Sequence, residues 1–336
     1  MENKMMVRRL GGLLLLVCTA WISTARADEG ANEKMWQAIL EGTHADVTAT
    51  LDQGANVNAV RKSGMTPLMW AAQDGDLELV KMLLAKGANH ALSHASGGCT
   101  ALGFAAEHLQ LEVVKTLIGH GAAVEKAGML VTPLMKVSRI DVSKDPKPEE
   151  TRQKIGEMTQ LLIDNGADVT ARNDKGMNPL MLAAKAGNLN VVAKILDKVP
   201  GIVNEVDKYH NTALMLSARY GKAKVAELLL AKGAEITRQH TCGCTALLIA
   251  AENGHLPIVK MLLDKGSDIN AKNNDGMTAL MFAASKGHRD VVQELLSRNA
   301  RINEMNNEGK TARTLAVEGK HDEVEEMLHA SGGRCS

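Results

Sequence analysis

The sequence predicts an all-α fold built as a solenoid, in which short pairs of helices stack one on the next. A phrase of Thr, then Pro or Ala, then Leu recurs along the chain, and each copy precedes an apolar pattern of helical period. The phrase begins at Thr66, Thr100, Thr132, Asn178, Thr212, Thr245, Thr278 and Thr311. Most steps between these positions are 32 to 34 residues, and one step is 46. A period of about 33 residues is typical of repeat proteins rather than of globular domains.

One unit, residues 276–306, explains why each part should form. Thr278 can cap the first helix with its hydroxyl, and Gly287 can adopt the left-handed backbone that ends it. The second helix carries the apolar pairs Val291-Val292 and Leu295-Leu296, which lie on one helical face. Neither helix can cover its apolar face alone, so the unit must pack against its neighbours.

These residues resemble the ankyrin repeat, whose pattern has a turn, a T-P-L-H-x-A-A phrase, a glycine and a second helix. The match is close in residues 64–88, 176–197, 243–270 and 276–303. The resemblance implies an ankyrin-repeat solenoid of about nine helix-turn-helix units with β-turn fingers, over residues 33–330. The atypical units at about 33–60 and 309–330 are expected to be the N-terminal and C-terminal caps.

Residues 1–27 read as a cleavable signal peptide. Lys4, Arg8 and Arg9 precede an apolar run from Leu10 to Ile22, and Ala25-Arg26-Ala27 has the small-x-small pattern of a cleavage site. The apolar run is too short for a membrane span. We therefore expect residues 28–336 to form a single repeat domain in the bacterial periplasm, most simply as a monomer.

The 46-residue step indicates an insertion in the repeat at about 128–173. The extra residues fall around 138–150, and their charges and two prolines predict a loop. Insertions in solenoids often lie on the binding face, but a surface insertion without a role is also well tolerated. Both interpretations remain open from the sequence.

Sulfur recurs at two positions of the repeat. The position just before the phrase holds Met65, Cys99, Met177, Cys244 and Met277. The position where the family has His holds Met69, Met181 and Met281. Methionine fills gaps in helical cores, but it also binds soft copper ions and oxidises readily. Cys242 and Cys244 could be thiols, a local disulfide, or metal ligands together with His240. Packing is the interpretation favoured here, and we assign no metal site.

No enzymatic motif is evident, since the sequence lacks a phosphate-binding loop, a His-Glu-x-x-His motif and a nucleophile elbow. His255, His288 and His321 match the Gly-His step of the repeat, where histidine is structural. The formal net charge is zero and aromatic residues make up 2% of the chain, which disfavours nucleic acid as a partner. We expect no catalytic residue and no cofactor.

Protein binding on the concave face is what the resemblance implies, through turn tips and the exposed ends of the first helices. In this chain those positions are Lys62, Gln73, Asp74, Glu107, His108, Lys175, Lys185, Tyr209, Arg219, Tyr220, Glu252, Asn253, Asp275 and Lys286. Tyr209 and Tyr220 are the two tyrosines of the chain and would be anchors, because aromatic residues dominate interface energies. We expect a periplasmic scaffold that neutralises or regulates a protein partner. The alternative is a protein that protects against oxidative or copper stress through its Met and Cys residues.

Overall fold

The computed structural model describes residues 29–95, 98–125, 131–143 and 145–335. The signal peptide predicted at 1–27 lies outside these residues. The chain divides into two compact units, residues 1–123 and 124–336, and each is described by itself. Throughout the part that is described, no helix has the length and apolar character needed to cross a bilayer.

The first unit consists of three helical pairs. Its helices are α1 (29–41), α2 (His44–Asp52), α3 (Pro67–Asp74), α4 (Leu77–Ala85), α5 (Ala101–Glu107) and α6 (Leu111–Gly119). The first helices α3 and α5 pack side by side, as do the second helices α4 and α6. A single antiparallel bridge joins Ser93 to Thr100 in the turn before α5.

The second unit continues the same alternation of short first helices and second helices. Its helices are α7 (Pro133–Ser138), α8 (Pro148–Asp164), α9 (Pro179–Ala186), α10 (Leu189–Lys198), a 3-10 helix (Pro200–Asn204), α11 (Ala213–Arg219), α12 (Ala223–Ala231), α13 (Ala246–Glu252), α14 (Leu256–Asp264), α15 (Ala279–Ser285), α16 (Arg289–Ser297), α17 (Ala312–Glu318) and α18 (Asp322–Ala330). First helices contact first helices, and second helices contact second helices, from one pair to the next. The predicted all-α ankyrin-type stacking is confirmed.

The recurring Thr starts each first helix as predicted. In α15, Thr278 Oγ1 accepts a hydrogen bond from the Met281 backbone N–H at 3.3 Å, and the same cap forms at α3, α5, α7, α11, α13 and α17. At α9, Asn178 takes the same role with its Oδ1. Gly287, just beyond α15, has the predicted left-handed backbone with φ of 71°.

Each interior pair buries its apolar face against its neighbours. Leu180, Leu214, Leu247 and Leu280 of the first helices are no more than 1% exposed, as is the Val291-Val292 pair of α16. Burying one such side chain contributes about 1.5–3 kcal/mol. At the C-terminal end, Arg313 pairs with Glu325 at 2.6 Å. That ion pair lies on the last helical pair, where the sequence predicted a cap.

The predicted loop at 138–150 is wrong in part. The helix α7 ends at Ser138, but α8 already begins at Pro148, so Pro148, Glu149 and Glu150 are helical. Proline suits the first position of a helix because its missing N–H would have no partner there. Part of the insertion therefore lengthens α8, which has 17 residues where α12, α14 and α16 have nine each.

Candidate functional site

Five turns of the second unit lie one beside the next and form a continuous strip. They are 173–176, 207–210, 240–243, 273–276 and 306–309, and we call them the finger strip. In each junction the third residue of one turn accepts a backbone hydrogen bond from the second residue of the next turn. The pairs are Lys208 N–H to Lys175 O at 3.1 Å, Thr241 N–H to Tyr209 O at 3.1 Å, Asn274 N–H to Cys242 O at 3.0 Å, and Asn307 N–H to Asp275 O at 3.0 Å.

Side-chain caps explain why these segments form tight turns. Asn173 Oδ1 accepts hydrogen bonds from the backbone N–H groups of Lys175 and Met177, both at 3.0 Å. Asp207, Asn273 and Asn306 repeat this pattern at the first position of their own turns. Such caps hold the turn by bonding the side chain of its first residue to the backbone two residues on. Lys175, Tyr209 and Asp275, all predicted contact residues, occupy that third position and are exposed.

The turn 240–243 departs from this pattern. His240 replaces the Asn or Asp, and its Nδ1 accepts a hydrogen bond from the Cys242 N–H at 3.2 Å. Cys242 and Cys244 are joined by a disulfide. Of the three alternatives for these cysteines, the structure therefore has the local disulfide. Across the described residues, no group of three or more His, Cys, Asp or Glu side chains is arranged to hold a metal ion.

The ends of the first helices are tied together by the three histidines that the sequence identified as structural. His255 Nε2–H donates to Arg219 O at 3.2 Å, His288 Nε2–H to Glu252 O at 2.9 Å, and His321 Nε2–H to Ser285 O at 3.1 Å. Each bond links one helical pair to the next. The accepting carbonyls belong to Arg219, Glu252 and Ser285, near the ends of three successive first helices. The residues that follow them, Tyr220, Asn253 and Lys286, are exposed.

The two tyrosines both face solvent. Tyr209 is 55% exposed and Tyr220 is 44% exposed, although large aromatic side chains are usually covered. The Lys185 ammonium lies 5.1 Å from the centre of the Tyr220 ring, a cation-π distance. Lys175 and Lys208 are exposed on the strip beside Tyr209. Exposed lysines therefore lie near both tyrosines, and Asp174 is also exposed on the turn that holds Lys175.

In the first unit, the predicted residues form a small depression. Trp70, Gln73, Asp74, His108 and Gln110 line a cavity of about 220 Å³. Gln110 Nε2–H donates to Asp74 O at 3.3 Å, which is the bond that histidine makes in the second unit. Three of the five predicted residues of this unit are thus brought together, while Lys62 lies exposed on its turn and Glu107 is half-buried.

Most of the predicted contact residues are accessible, but four are only half-buried rather than exposed: Gln73, Glu107, Arg219 and Glu252. The sequence analysis considered Cys242 for its sulfur chemistry but did not count it among the contact residues, although it lies at the same turn position as Tyr209 and Asp275. The repeat register would have found it, because Cys242 follows His240 by the two residues that separate Tyr209 from Asp207.

The sulfur atoms are mostly inside the protein. Met65, Cys99, Met177 and Cys244 are 6–7% exposed, and Met69, Met135, Met181, Met215 and Met281 are 0–1% exposed. Met177, Met181 and Leu216 form one cluster. This burial favours packing as the role of the methionines.

The lengthened helix α8 borders a groove of about 900 Å³ on the side of the second helices. Glu149, Arg152, Lys194 and Lys224 are among its lining residues, together with Gly156 and the start of α10. Charges of both signs surround it. The groove is lined by second helices and the residues before α10, and none of its lining residues belongs to the finger strip.

Comparison with known sequences identifies the repeats. The sequence model described as "Ankyrin repeats (3 copies)" matches residues 35–127, 151–240 and 247–335. The chain is also similar to the transient receptor potential cation channel subfamily A member 1 of Homo sapiens, with 30% identity over 225 residues. That alignment covers 65% of this chain and 19% of the channel.

Two further relatives carry repeats in their names. The ankyrin repeat, SAM and basic leucine zipper domain-containing protein 1 of Dasypus novemcinctus is 30% identical over 168 residues, which is 50% of this chain and 26% of the relative. The ankyrin repeat and KH domain-containing protein mask of Drosophila melanogaster is 40% identical over 65 residues, which is 19% of this chain and 2% of the relative. The chain spans about a quarter or less of the length of these relatives.

Proposed function

This chain belongs to the ankyrin-repeat family, and from that premise we propose that it is a periplasmic protein-binding scaffold that neutralises or regulates a protein partner. Ankyrin repeats mediate protein binding. The observation that carries the proposal for this chain is the exposure of Tyr209 and Tyr220 beside the finger strip. Exposed aromatic side chains supply large apolar contact areas with few rotatable bonds, and they are common interface anchors.

The charges around the tyrosines favour a particular partner chemistry. Lys175, Lys185 and Lys208 are exposed near the two rings, whereas Asp275 lies two turns further along the strip. Complementary charge increases the association rate and selects the orientation of the partner. We therefore expect a partner segment with apolar side chains over the tyrosines and acidic side chains opposite the lysines.

Export to the periplasm is supported by the sequence of residues 1–27, with its basic start, apolar run and small-residue cleavage pattern. A monomer is consistent with polar capping units, of which the Arg313–Glu325 pair is part. We propose no enzymatic turnover, because the predicted contact residues lie on turns and helix ends rather than in a converging set of nucleophile, base and acid. Neutralisation of a partner needs only that the scaffold cover the surface that the partner uses.

The stress-protection alternative has less support. A copper or peroxide site built from the Met ladder needs accessible thioethers, but most of these methionines are buried. Cys242 differs, since it is a half-buried sulfur on the finger strip.

The test is comparative capture from periplasmic extract. The wild-type chain, the Tyr209→Ala/Tyr220→Ala variant and a Leu189→Ala control are immobilised, and bound proteins are quantified by mass spectrometry. Leu189 is also exposed, but it begins a second helix, α10, away from the turns. We expect a partner that is enriched by the wild type and the control and lost with the tyrosine variant. The loss in affinity should be at least about 2 kcal/mol.

A partner that binds all three chains equally would place the interface away from both the tyrosines and Leu189. Because Leu189 lines the α8 groove, a partner lost only with Leu189→Ala would place the interface at that groove. Thermal unfolding of the three chains provides the control for folding. The tyrosine variant should melt with the wild type, because both side chains are solvent-exposed.

A further inference from the structure

In the turn 240–243, a disulfide takes the place of part of the side-chain cap that the neighbouring turns have. In the neighbouring turns, one Asn or Asp oxygen accepts from the third and fifth residues, as Asn273 does from Asp275 and Met277. Of the two corresponding N–H groups, His240 Nδ1 accepts that of the third residue, Cys242, and it also lies 3.3 Å from Thr241 Oγ1. The third and fifth residues are instead joined to each other by the Cys242–Cys244 disulfide.

The two sulfurs differ in accessibility. Cys242 is at the turn position where Lys175, Tyr209 and Asp275 face solvent, and it is half-buried. Cys244 lies two residues before α13 and is 6% exposed. An attacking thiolate can therefore approach Cys242 more readily than Cys244.

The groups around the two sulfurs also differ, and those beside Cys244 favour a thiolate there. Asn273 Nδ2 lies 3.7 Å from Cys244 Sγ and is oriented to donate to it, while the same amide lies 3.4 Å from Asp275 Oδ2. A hydrogen-bond donor at that position stabilises a thiolate more than a neutral sulfur. His240 Nδ1 lies 3.3 Å from Cys242 Sγ.

The surroundings of His240 favour its uncharged form. Burial lowers the pKa of His240, nearby Arg219 and His210 lower it further, and Asp207 acts in the opposite direction. This shift favours the neutral imidazole. Its Nδ1 carries a lone pair, since it accepts from the Cys242 N–H.

We propose that the Cys242–Cys244 disulfide is a thiol–disulfide exchange site, with Cys242 as the attacked sulfur and Cys244 as the leaving group. A thiolate of the substrate forms a bond to Cys242 Sγ, the Cys242–Cys244 bond breaks, and Cys244 leaves as a thiolate beside Asn273. The proton lost by the attacking thiol goes to solvent, and the Cys244 thiolate later takes up a proton from solvent. With a dithiol substrate, the second substrate thiolate then bonds to the first substrate sulfur, the bond from that sulfur to Cys242 Sγ breaks, and Cys242 leaves as a thiolate that takes up a proton. Two electrons pass to the chain, which ends as two thiols, and the substrate ends as a disulfide.

The substrate class is accessible thiols of small molecules or proteins. The proposal goes beyond partner binding and does not depend on it, because a small thiol can test it directly. A failed capture experiment and a failed exchange experiment would therefore be separate results.

The test uses reduced glutathione as the probe on the oxidised full chain. Cys18→Ser and Cys335→Ser substitutions remove the cysteines outside the repeat positions, and Cys99 remains as a buried internal control. After short reaction times the thiols are blocked with N-ethylmaleimide and mapped by mass spectrometry. We expect glutathione on Cys242 and maleimide on Cys244. Glutathione on Cys244, or unreacted disulfide in a folded chain, would overturn the proposal.

Asn273→Asp is the matched variant. Asp207 caps its own turn with a carboxylate, so aspartate at 273 should keep the turn but replace the amide donor beside Cys244 with a negative charge. We expect exchange to slow about tenfold or more, because the variant loses the hydrogen bond that stabilises the departing Cys244 thiolate. An unchanged rate in a chain with unchanged circular dichroism would show that the disulfide reacts only because it is exposed.

A second measurement covers the case in which Asn273→Asp does not fold. Single variants Cys244→Ser and Cys242→Ser, in the same background, are treated with oxidised glutathione. The lone Cys242 should form the mixed disulfide at least about tenfold faster than the lone Cys244, because thiol access controls the rate. Equal rates would contradict the assignment of Cys242 as the attacked sulfur.

Discussion

The histidine bonds between helical pairs can be tested with two glycines that differ in one respect. Gly254 and Gly266 both have a left-handed backbone, with φ of 73° and 86°. A Cβ built on Gly254 would lie 2.6 Å from His288 Nδ1, whereas a Cβ on Gly266 meets no atom within 4 Å. The Gly254→Ala and Gly266→Ala variants therefore share the backbone strain and differ in the contact with His288.

The expected costs follow from these contacts. Left-handed backbone costs a residue with a Cβ about 1–2 kcal/mol, and the smaller conformational freedom of alanine in the unfolded chain offsets part of it. Gly266→Ala should thus lower the free energy of unfolding by about 1 kcal/mol. Gly254→Ala also displaces the His288 ring and breaks its 2.9 Å bond to Glu252 O, which adds about 1 kcal/mol or more.

The assay is urea unfolding of the two variants, followed by circular dichroism. Gly254→Ala should be less stable than Gly266→Ala by about 1–2 kcal/mol. Adding His288→Ala should remove most of that difference, because the clash and the bond then both vanish. If the two glycine variants are equally stable, or if the costs of Gly254→Ala and His288→Ala simply add, the His288 ring is not what holds the helical pairs at this spacing.

Three other predictions concern single positions. Burial raises the pKa of Glu125 to about 7 from its ordinary 4.5, so its ionised form destabilises the folded state as pH rises through this window. Glu125→Gln should therefore raise the melting temperature near pH 8 and leave it unchanged near pH 4.5, and a gain at both values would disprove the titration argument. Thr278→Ala removes the cap of α15 and should cost about 1 kcal/mol in urea unfolding, with Thr278→Ser close to the wild type; equal stability of the two would mean that the hydroxyl is dispensable. Changing Met65, Met177 and Met277 together to Leu should cost under about 1.5 kcal/mol each. Strains carrying that triple variant should keep normal resistance to peroxide and copper, and sensitivity in a folded variant would restore the stress-protection function.

Local chemistry explains how much of the fold was predictable. The Thr phrase, the left-handed glycine and the apolar pairs act within one unit of about 33 residues, so each could be recognised without tertiary information. The same register placed Tyr209 and Tyr220 at a turn and at a helix end, where the structure exposes them. The insertion was harder to interpret, because Pro148 is compatible with a loop and with the first position of a helix.

The sequence alone determined the repeat unit, the helix caps and the family, since these depend on residues close together in the chain. Tertiary structure decided which sulfurs are buried, that Cys242 and Cys244 are bonded, and that Asn273 lies beside Cys244. Asn273 and Cys244 are separated by 29 residues and belong to different turns. Their meeting depends on how one helical pair packs on the next, and burial and hydrogen bonding between repeats are properties of that packing rather than of any single unit.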